Sequence, residues 1–77
     1  GEDTVITFTN LEPGGSVRVY TFAGEAVNEL TADRNEQEVV WNGRNYSGKH
    51  VGTGVYFFTG RDLNGREFSD KLVIVRR

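Results

Sequence analysis

Short stretches of alternating apolar and polar residues follow one another along the chain. Their period of two is that of a β-strand, and glycine-rich segments separate them. No stretch repeats its apolar residues every three to four positions, as an amphipathic helix would. The pattern therefore predicts an all-β chain, with strands at Thr4–Thr9, Ser16–Phe22, Glu25–Leu30, Gln37–Trp41, Gly54–Gly60 and Glu67–Val75.

The connections between these stretches carry the residues that tight turns need. Ala23-Gly24 and Leu63-Asn64-Gly65 predict hairpin links, because glycine readily takes the positive φ that such links require. A longer connection, rich in glycine and asparagine, spans Asn42–Thr53. Six strands joined in this way, or seven if the last one breaks near Ser69-Asp70, predict an antiparallel β-sandwich or a small barrel.

Two of the predicted strands are apolar on both sides. The stretches Val55–Phe58 and Leu72–Val75 lack the polar alternate positions that the other strands have. A strand of this kind belongs at the centre of a sheet, or else one of its sides contacts something outside the chain.

Length and composition favour one small domain with a simple core. The chain has 77 residues, of which 36% are hydrophobic, and its aromatic residues are one Trp, three Tyr and five Phe. The net charge of -2 provides no basic face for nucleic acid. Cysteine is absent, which excludes a disulfide framework and a thiolate metal site. No apolar run approaches the ~18 residues of a membrane-spanning helix, so we expect no membrane insertion.

The sequence offers few candidates for chemistry. His50 lies in the long connection, and no residue is identified that would orient it as a general base. None of the serines lies in a Gly-x-Ser-x-Gly turn. The segment Asn42–Gly48 has the asparagines of a calcium loop but no carboxylate. We therefore expect no enzyme activity, no bound metal and no cofactor.

The aromatic residues leave one alternative open. A flat surface for stacking on sugars, as in carbohydrate-binding modules, would use Trp41, Tyr46, Tyr56, Phe57 and Phe58. A small sandwich also needs bulky residues to fill its core. We favour this core role for Trp41 and Tyr56.

Four segments together resemble a known family. These segments are Val17–Val27, Val40–Gly48, Val51–Tyr56 and Lys71–Ile74. In this order and spacing they resemble the immunoglobulin-like domain of the flagellar hook-capping family. They are also similar to the related C-terminal sorting domains of proteins that the bacterial type IX secretion system exports. The resemblance covers nearly the whole chain and implies an immunoglobulin-like antiparallel β-sandwich of six to seven strands.

The structural motif of this resemblance comprises Gly24, Trp41, Asn42, Gly43 and Gly48. The family pattern has aspartate where this chain has Asn42, and both side chains accept main-chain hydrogen bonds in turns. A Pro-Asn-Pro stretch often precedes such domains, and this chain starts just after the place where it would lie. The resemblance therefore implies that residues 1–77 are a single domain, the C-terminal domain of a larger exported protein.

The resemblance also implies a function in recognition. Outer-membrane export machinery recognises a sorting domain and thereby delivers the parent protein, through the periplasm, to the cell surface or the medium. The residues implied for partner recognition are Gly54, Val55, Tyr56, Lys71, Leu72 and Val73. An exposed sheet edge, or the apolar outer face of the last strands, would contact the partner.

Two other classes of function remain open at this point. One is a structural or adhesive immunoglobulin-like module, which contacts neighbouring domains as a spacer or serves as a subunit of a surface or flagellar assembly. The other is the carbohydrate-binding module. In every case the expected partner is a protein or a glycan rather than a nucleic acid.

Overall fold

The computed structural model describes residues 6–9, 13–33 and 35–75, and within these ranges the chain is all-β. The strands found there are β1 (Ile6–Phe8), β2 (Ser16–Thr21), β3 (Ala26–Thr31), β4 (Val39–Trp41), β5 (Gly54–Arg61) and β6 (Glu67–Ile74). They form a two-stranded sheet in the order β1-β4 and a four-stranded sheet in the order β3-β2-β5-β6. Every pairing is antiparallel. The prediction of an antiparallel β-sandwich is confirmed.

The strand bounds differ from the predicted ones by at most two residues where both are described. Thr4 and Val5, at the predicted start of β1, lie outside the described residues. β6 continues without a break through Ser69-Asp70. β5 lies between β2 and β6, as expected for a strand that is apolar on both sides, whereas β6 is the last of the described strands at its end of the sheet. The central position considered for the Leu72–Val75 stretch is therefore wrong.

The core lies between the two sheets and follows from the alternation along the strands. Val17 and Val19 of β2 are fully buried, and Phe58 of β5 is the register partner of Val19 on the same face. From the other sheet, Trp41 is fully buried and contacts Tyr56 edge to face, with 6.3 Å between ring centroids. The buried hydrophobic residues are Phe8, Val17, Val19, Val27, Ala32, Val39, Trp41, Val51, Tyr56 and Ile74.

One main-chain carbonyl joins the long connection to both sheets. The Arg44 carbonyl accepts a hydrogen bond from the indole Nε1 of Trp41 and another from the side-chain amide of Asn28, each at 2.9 Å. Trp41 belongs to the two-stranded sheet and Asn28 to the four-stranded sheet. In the described ranges, every buried side-chain nitrogen or oxygen has a hydrogen-bond partner. The hydrogen bond of the indole N–H therefore compensates for the water that Trp41 loses on burial.

Three turns share one hydrogen-bonding pattern. In each, the N–H of the first residue donates to the carbonyl of the residue four positions later. The carbonyl of the first residue accepts the N–H of a glycine three positions later. A side-chain oxygen of the first residue also accepts the N–H four residues later. The first residues are Thr21, Asn45 and Asp62, and the glycines are Gly24, Gly48 and Gly65, with φ of 94°, 80° and 83°.

This pattern corrects the two predicted hairpin links. The link expected at Ala23-Gly24 extends over the four residues Phe22–Glu25, and the link expected at Leu63-Asn64-Gly65 extends over Asp62–Arg66. Both links are longer because the glycine with positive φ ends a β-turn and forms a bulge, so that one strand has an extra residue opposite its partner. A side-chain acceptor at the first position favours this longer form over a two-residue link.

The Asp62 carboxylate offers a direct test of this pattern. Its Oδ1 accepts the N–H groups of Asn64 and Arg66, each at 2.9 Å, and its side chain is only 9% exposed. Replacing Asp62 with alanine should lower the free energy of unfolding by about 1–2 kcal/mol, since each bond contributes about 0.5–1.5 kcal/mol. Asp62→Asn retains the acceptor and should lie close to the parent in urea denaturation. Equal losses for the two variants would contradict the assigned role of Oδ1.

Candidate partner-binding surface

The structure brings together the six residues that the resemblance implied for recognition. β5 and β6 pair antiparallel, and the register places Gly54 opposite Ile74, Val55 opposite Val73 and Tyr56 opposite Leu72. Lys71 lies one position further along, opposite Phe57. These residues form one end of the β5–β6 pair, where a β-strand ladder fixes their relative positions.

The same six residues divide between the two faces of the sheet. Tyr56 is 8% exposed and Leu72 is half-buried, and both belong to or pack against the core. The Tyr56 hydroxyl also donates a hydrogen bond to the Gly52 carbonyl at 2.7 Å. By alternation, Val55, Lys71 and Val73 occupy the outer face. Only these three have side chains placed to contact a partner across that face.

An apolar patch occupies this end of the outer face. Phe22, which follows β2, stacks on Phe57 of β5 with 5.9 Å between ring centroids and 29° between ring planes. Val73 is 64% exposed and Phe22 is 74% exposed. We call Phe22, Val55, Phe57 and Val73 the outer apolar patch. Lys71 borders it, and Val75, which follows β6, is also exposed.

Phe22 is a member of this patch that the site prediction missed. The signal was present in the alternation, which places Tyr20 and Phe22 on the side of β2 opposite the buried Val17 and Val19. The stacking on Phe57 could not be read from the sequence, because it depends on the pairing of β2 with β5, which places Tyr20 opposite Phe57.

The other end of the outer face is charged. A cleft of about 270 Å³ there is lined by Arg18, Glu29, Arg61 and Glu67 together with hydroxyl groups of neighbouring strands. Arg18 pairs with Glu29 at 3.0 Å, and Arg61 pairs with Glu67 at 2.7 Å. The pKa of the Arg18 guanidinium is raised, first by hydrogen bonding to the Tyr20 side chain and then by Glu29. The pKa of Arg61 is raised by Glu67. The outer face thus has one apolar end and one charge-balanced end.

Three residues of the structural motif, Asn42, Gly43 and Gly48, lie in the long connection rather than on the outer face. Asn42 Oδ1 accepts the Arg44 N–H at 3.2 Å, which is the role that the family's aspartate would have. Gly43 is buried with a φ of 75°, a conformation that residues with a Cβ rarely adopt. Gly48 and Gly24 close two of the shared turns described above. Asn42, Gly43 and Gly48 thus shape the loop that follows Trp41, whereas Gly24 shapes the β2–β3 turn.

Burial decides the role of most aromatic residues. Trp41 is 0% exposed and Tyr56 is 8% exposed, so the prediction that both belong to the core is confirmed. Phe58 packs against the core and contacts Phe8 at 4.9 Å between ring centroids. Tyr46 and Phe57 are exposed, but Phe57 faces Phe22 on the outer face and Tyr46 lies in the long connection. The five rings do not form one flat surface.

The described ranges contain neither a cluster of metal ligands nor a membrane-spanning helix. No group of three His, Asp or Glu side chains comes together there in a way that could hold a metal ion. Nor do those ranges contain a helix with the length and apolar character of a membrane span. His50 is exposed in the long connection and forms an isolated antiparallel bridge with Arg44.

Comparison with known proteins identifies a similar solved structure. It is PorZ, described as an essential bacterial surface component of the type IX secretion system of the human oral-microbiome bacterium Porphyromonas gingivalis. The TM-score is 0.76 at 22% sequence identity, and the match covers 96% of this chain but 11% of the PorZ chain. No protein-family model matches this chain, and no curated protein does. The chain is therefore similar in fold to one segment of PorZ.

Proposed function

We propose that this chain is a non-catalytic recognition domain that directs a larger bacterial protein to the type IX secretion system and the cell surface. The observation that carries the recognition role is the outer apolar patch, which exposes Phe22 and Val73 on the outer face of the four-stranded sheet. Large aromatic and aliphatic side chains that are exposed together are typical of surfaces that bind proteins. The partner we propose is a protein of the outer-membrane export machinery.

The likeness to PorZ supports the secretion system in this proposal. PorZ is a surface component of that system, and a segment of it has the fold of this chain. The resemblance of four sequence segments to type IX sorting domains is an independent reason for the same assignment. Both concern nearly the whole chain, so both apply to the domain that carries the patch. Membership in the flagellar hook-capping family stays a prediction.

A structural or adhesive module is the second candidate. The match covers 11% of the PorZ chain, which is the proportion expected of one module among several. In that case a neighbouring domain or an assembly subunit would cover the outer apolar patch. Interfaces between domains of one chain bury about 600–1,500 Å², which such a patch could form part of.

Export of a reporter protein distinguishes the two candidates. The chain is fused to the C-terminus of a secreted reporter in a bacterium that has a type IX secretion system. Replacing Phe22 and Val73 with serine should reduce surface delivery by about tenfold or more, because each loses an exposed apolar contact of the kind that dominates protein interfaces. Both side chains are more than half exposed, so the fold should be retained.

A matched control removes the same kind of side chain elsewhere. Val40 on β4 is 52% exposed and Leu63 in the β5–β6 turn is 72% exposed. The Val40→Ser and Leu63→Ser pair should leave delivery near the parental level. Delivery of the parental fusion at the level of the reporter without the domain would reject the sorting function in favour of the structural module. Equal delivery of all fusions, with circular dichroism showing folded domains, would reject the outer apolar patch as the recognition surface. Deleting residues 71–77 should also abolish export, although this deletion removes the buried Ile74 from the core.

A further inference from the structure

The two edges of the four-stranded sheet differ in how they are covered. At β3, the Tyr46 N–H from the long connection donates to the Val27 carbonyl at 2.9 Å, and Asn28 Oδ1 accepts the Glu29 N–H at 2.8 Å. β3 also has an irregular register with β2 next to Val19. A covered and irregular edge is a poor template for another strand. The β3 edge is thus less suited to strand addition than an uncovered, regular edge.

The β6 edge is longer and, among the described residues, has no second neighbour. β6 spans the eight residues Glu67–Ile74, and its pairing with β5 is continuous over all of them. No main-chain hydrogen bond from another described segment reaches this edge. A regular strand with one free edge presents its outward N–H and C=O groups to another strand.

The hydrogen bonds identify which residues point outward. The Asp62 N–H donates to the Arg66 carbonyl. Hydrogen-bonded and non-hydrogen-bonded residue pairs alternate along an antiparallel ladder, so the pairs of even-numbered residues in β5 and β6 are the hydrogen-bonded ones. The odd-numbered positions of β6 therefore direct their main-chain groups away from the sheet. The hydrogen bond of the Lys71 N–H is consistent with this assignment, because it goes to Oδ1 of the preceding residue, Asp70, at 2.8 Å rather than to β5. The outward residues are Glu67, Ser69, Lys71 and Val73.

We infer that this edge of β6 binds an extended segment of a protein partner as an added antiparallel strand. The inference rests on the proposed function and specifies the partner of the same surface. An added strand would satisfy the outward groups of Ser69 and Val73, and it would take the place of the Asp70 side chain on the Lys71 N–H. Its outer-face side chains would continue the sheet beside the outer apolar patch.

The outer-face side chains of β6 specify the chemistry of this segment. An apolar residue directly opposite Val73 would pack against it, since directly opposite residues of neighbouring strands lie on the same face. Lys71 forms no ion pair with any described residue. An acidic residue opposite it on the added strand would therefore form an ion pair without displacing another carboxylate. The preferred segment has an apolar residue, then an acidic one, then a small polar one, at alternate positions facing Val73, Lys71 and Ser69.

A second copy of this chain fits the edge less well. Asp70 lies on the inner face of the β6 edge, opposite Phe58 in the register. Antiparallel pairing of two copies centred on Ser69, Asp70 or Lys71 would place the two Asp70 carboxylates opposite or diagonal to each other on one face. Like charges in these positions are destabilising, and a charge on this face is a common protection against self-pairing.

A pair of substitutions at Ser69 tests strand addition without altering the patch. Ser69→Pro removes an outward N–H and should spare the ladder to β5, because proline is tolerated at edge positions whose N–H faces away. Ser69→Ala removes only the hydroxyl. The probe is a labelled synthetic peptide of about nine residues, with threonine alternating with valine, glutamate and serine. We expect fluorescence anisotropy to show binding that Ser69→Pro weakens by about tenfold relative to Ser69→Ala.

Hydrogen exchange supplies the second measurement. The amides of Ser69 and Val73 should exchange rapidly in the free chain and become protected when the peptide binds. Protection in the free chain at low concentration would mean that the chain itself covers the edge and would overturn the inference. Concentration-dependent dimers in sedimentation velocity that Ser69→Pro abolishes would assign the edge to a second copy and overturn it equally. Equal peptide affinity for the two Ser69 variants would reject strand addition.

The outcomes separate this inference from the proposed function. If Ser69→Pro prevents peptide binding but not reporter export, the edge binds strands and the sorting function fails to use it. If the Phe22 and Val73 substitutions prevent export while Ser69→Pro and Ser69→Ala bind the peptide equally, the sorting function stands and the strand addition is rejected. Thermal unfolding of each variant confirms that the domain remains folded in both comparisons.

Discussion

Replacing Trp41 with alanine should remove a large part of the free energy that keeps the chain folded. Trp41 is 0% exposed, contacts Tyr56 edge to face and donates its indole N–H to the Arg44 carbonyl. Truncating a fully buried Trp costs about 3–5 kcal/mol, because the transfer free energy is lost and a cavity remains. A domain of this length has a total stability of roughly 4–12 kcal/mol. Far-UV circular dichroism during urea denaturation measures the loss.

Two further variants separate burial from hydrogen bonding. Trp41→Phe retains a ring but removes the indole donor, and the Arg44 carbonyl keeps its bond from Asn28. We expect a loss of about 1–3 kcal/mol for this variant. Val40→Ala, at an exposed neighbouring position, should change stability by no more than about 0.5 kcal/mol. A folded Trp41→Ala variant with parental stability would contradict the core role and reopen the sugar-binding alternative.

Adding a single methyl group at Gly60 should cost about 1–3 kcal/mol. A Cβ at this position would lie 2.0 Å from Cζ of Phe68 and 2.2 Å from its Cε1. The Phe68 ring lies over Gly60 from the neighbouring strand and contacts Phe58 edge to face at 6.4 Å between centroids. The ring must leave this place in Gly60→Ala, so its packing is lost as in other overpacked sites. Urea denaturation of the variant measures this cost.

The matched controls use another glycine and a double variant. A Cβ on Gly52 would meet nothing within 4 Å, so Gly52→Ala should be neutral or slightly stabilising. In the Gly60→Ala, Phe68→Ala double variant the clash is absent. Its loss of stability should therefore be smaller than the sum of the two single losses by about 0.5–3 kcal/mol. Additive losses would show that the ring and the glycine do not interact as the structure has them.

The strands were predictable because their side chains alternate. Val17 and Val19 are buried while Arg18 between them is exposed, and this period of two is visible in the sequence. The turns were predictable in place but not in length. The glycines indicated where each turn lies, because they allow a positive φ. The side-chain acceptors that favour the longer links belong to Thr21 and Asp62, which lie before the residues expected to form the links.

The candidate site was predictable in its strands but not in its full membership. The resemblance implied both Val55 and Val73 as recognition residues, and the structure makes them register partners. Phe22 joins them only because β2 and β5 are neighbours, although a long stretch of chain separates them. Long-range pairing of this kind depends on the packing of the whole sheet and leaves no local pattern in the sequence. The openness of the β6 edge depends on the strand order for the same reason.

The division of strands between the two sheets has a consequence for the order of folding. β2–β3 and β5–β6 are neighbours in the chain and are each joined by a short turn with its own side-chain acceptor. Such hairpins form within microseconds, since little loop entropy is lost in closing them. β1 and β4 pair over only three residues and are separated by both β2 and β3. The small sheet that carries Trp41 should therefore be completed last and set the rate at which the domain reaches its native state.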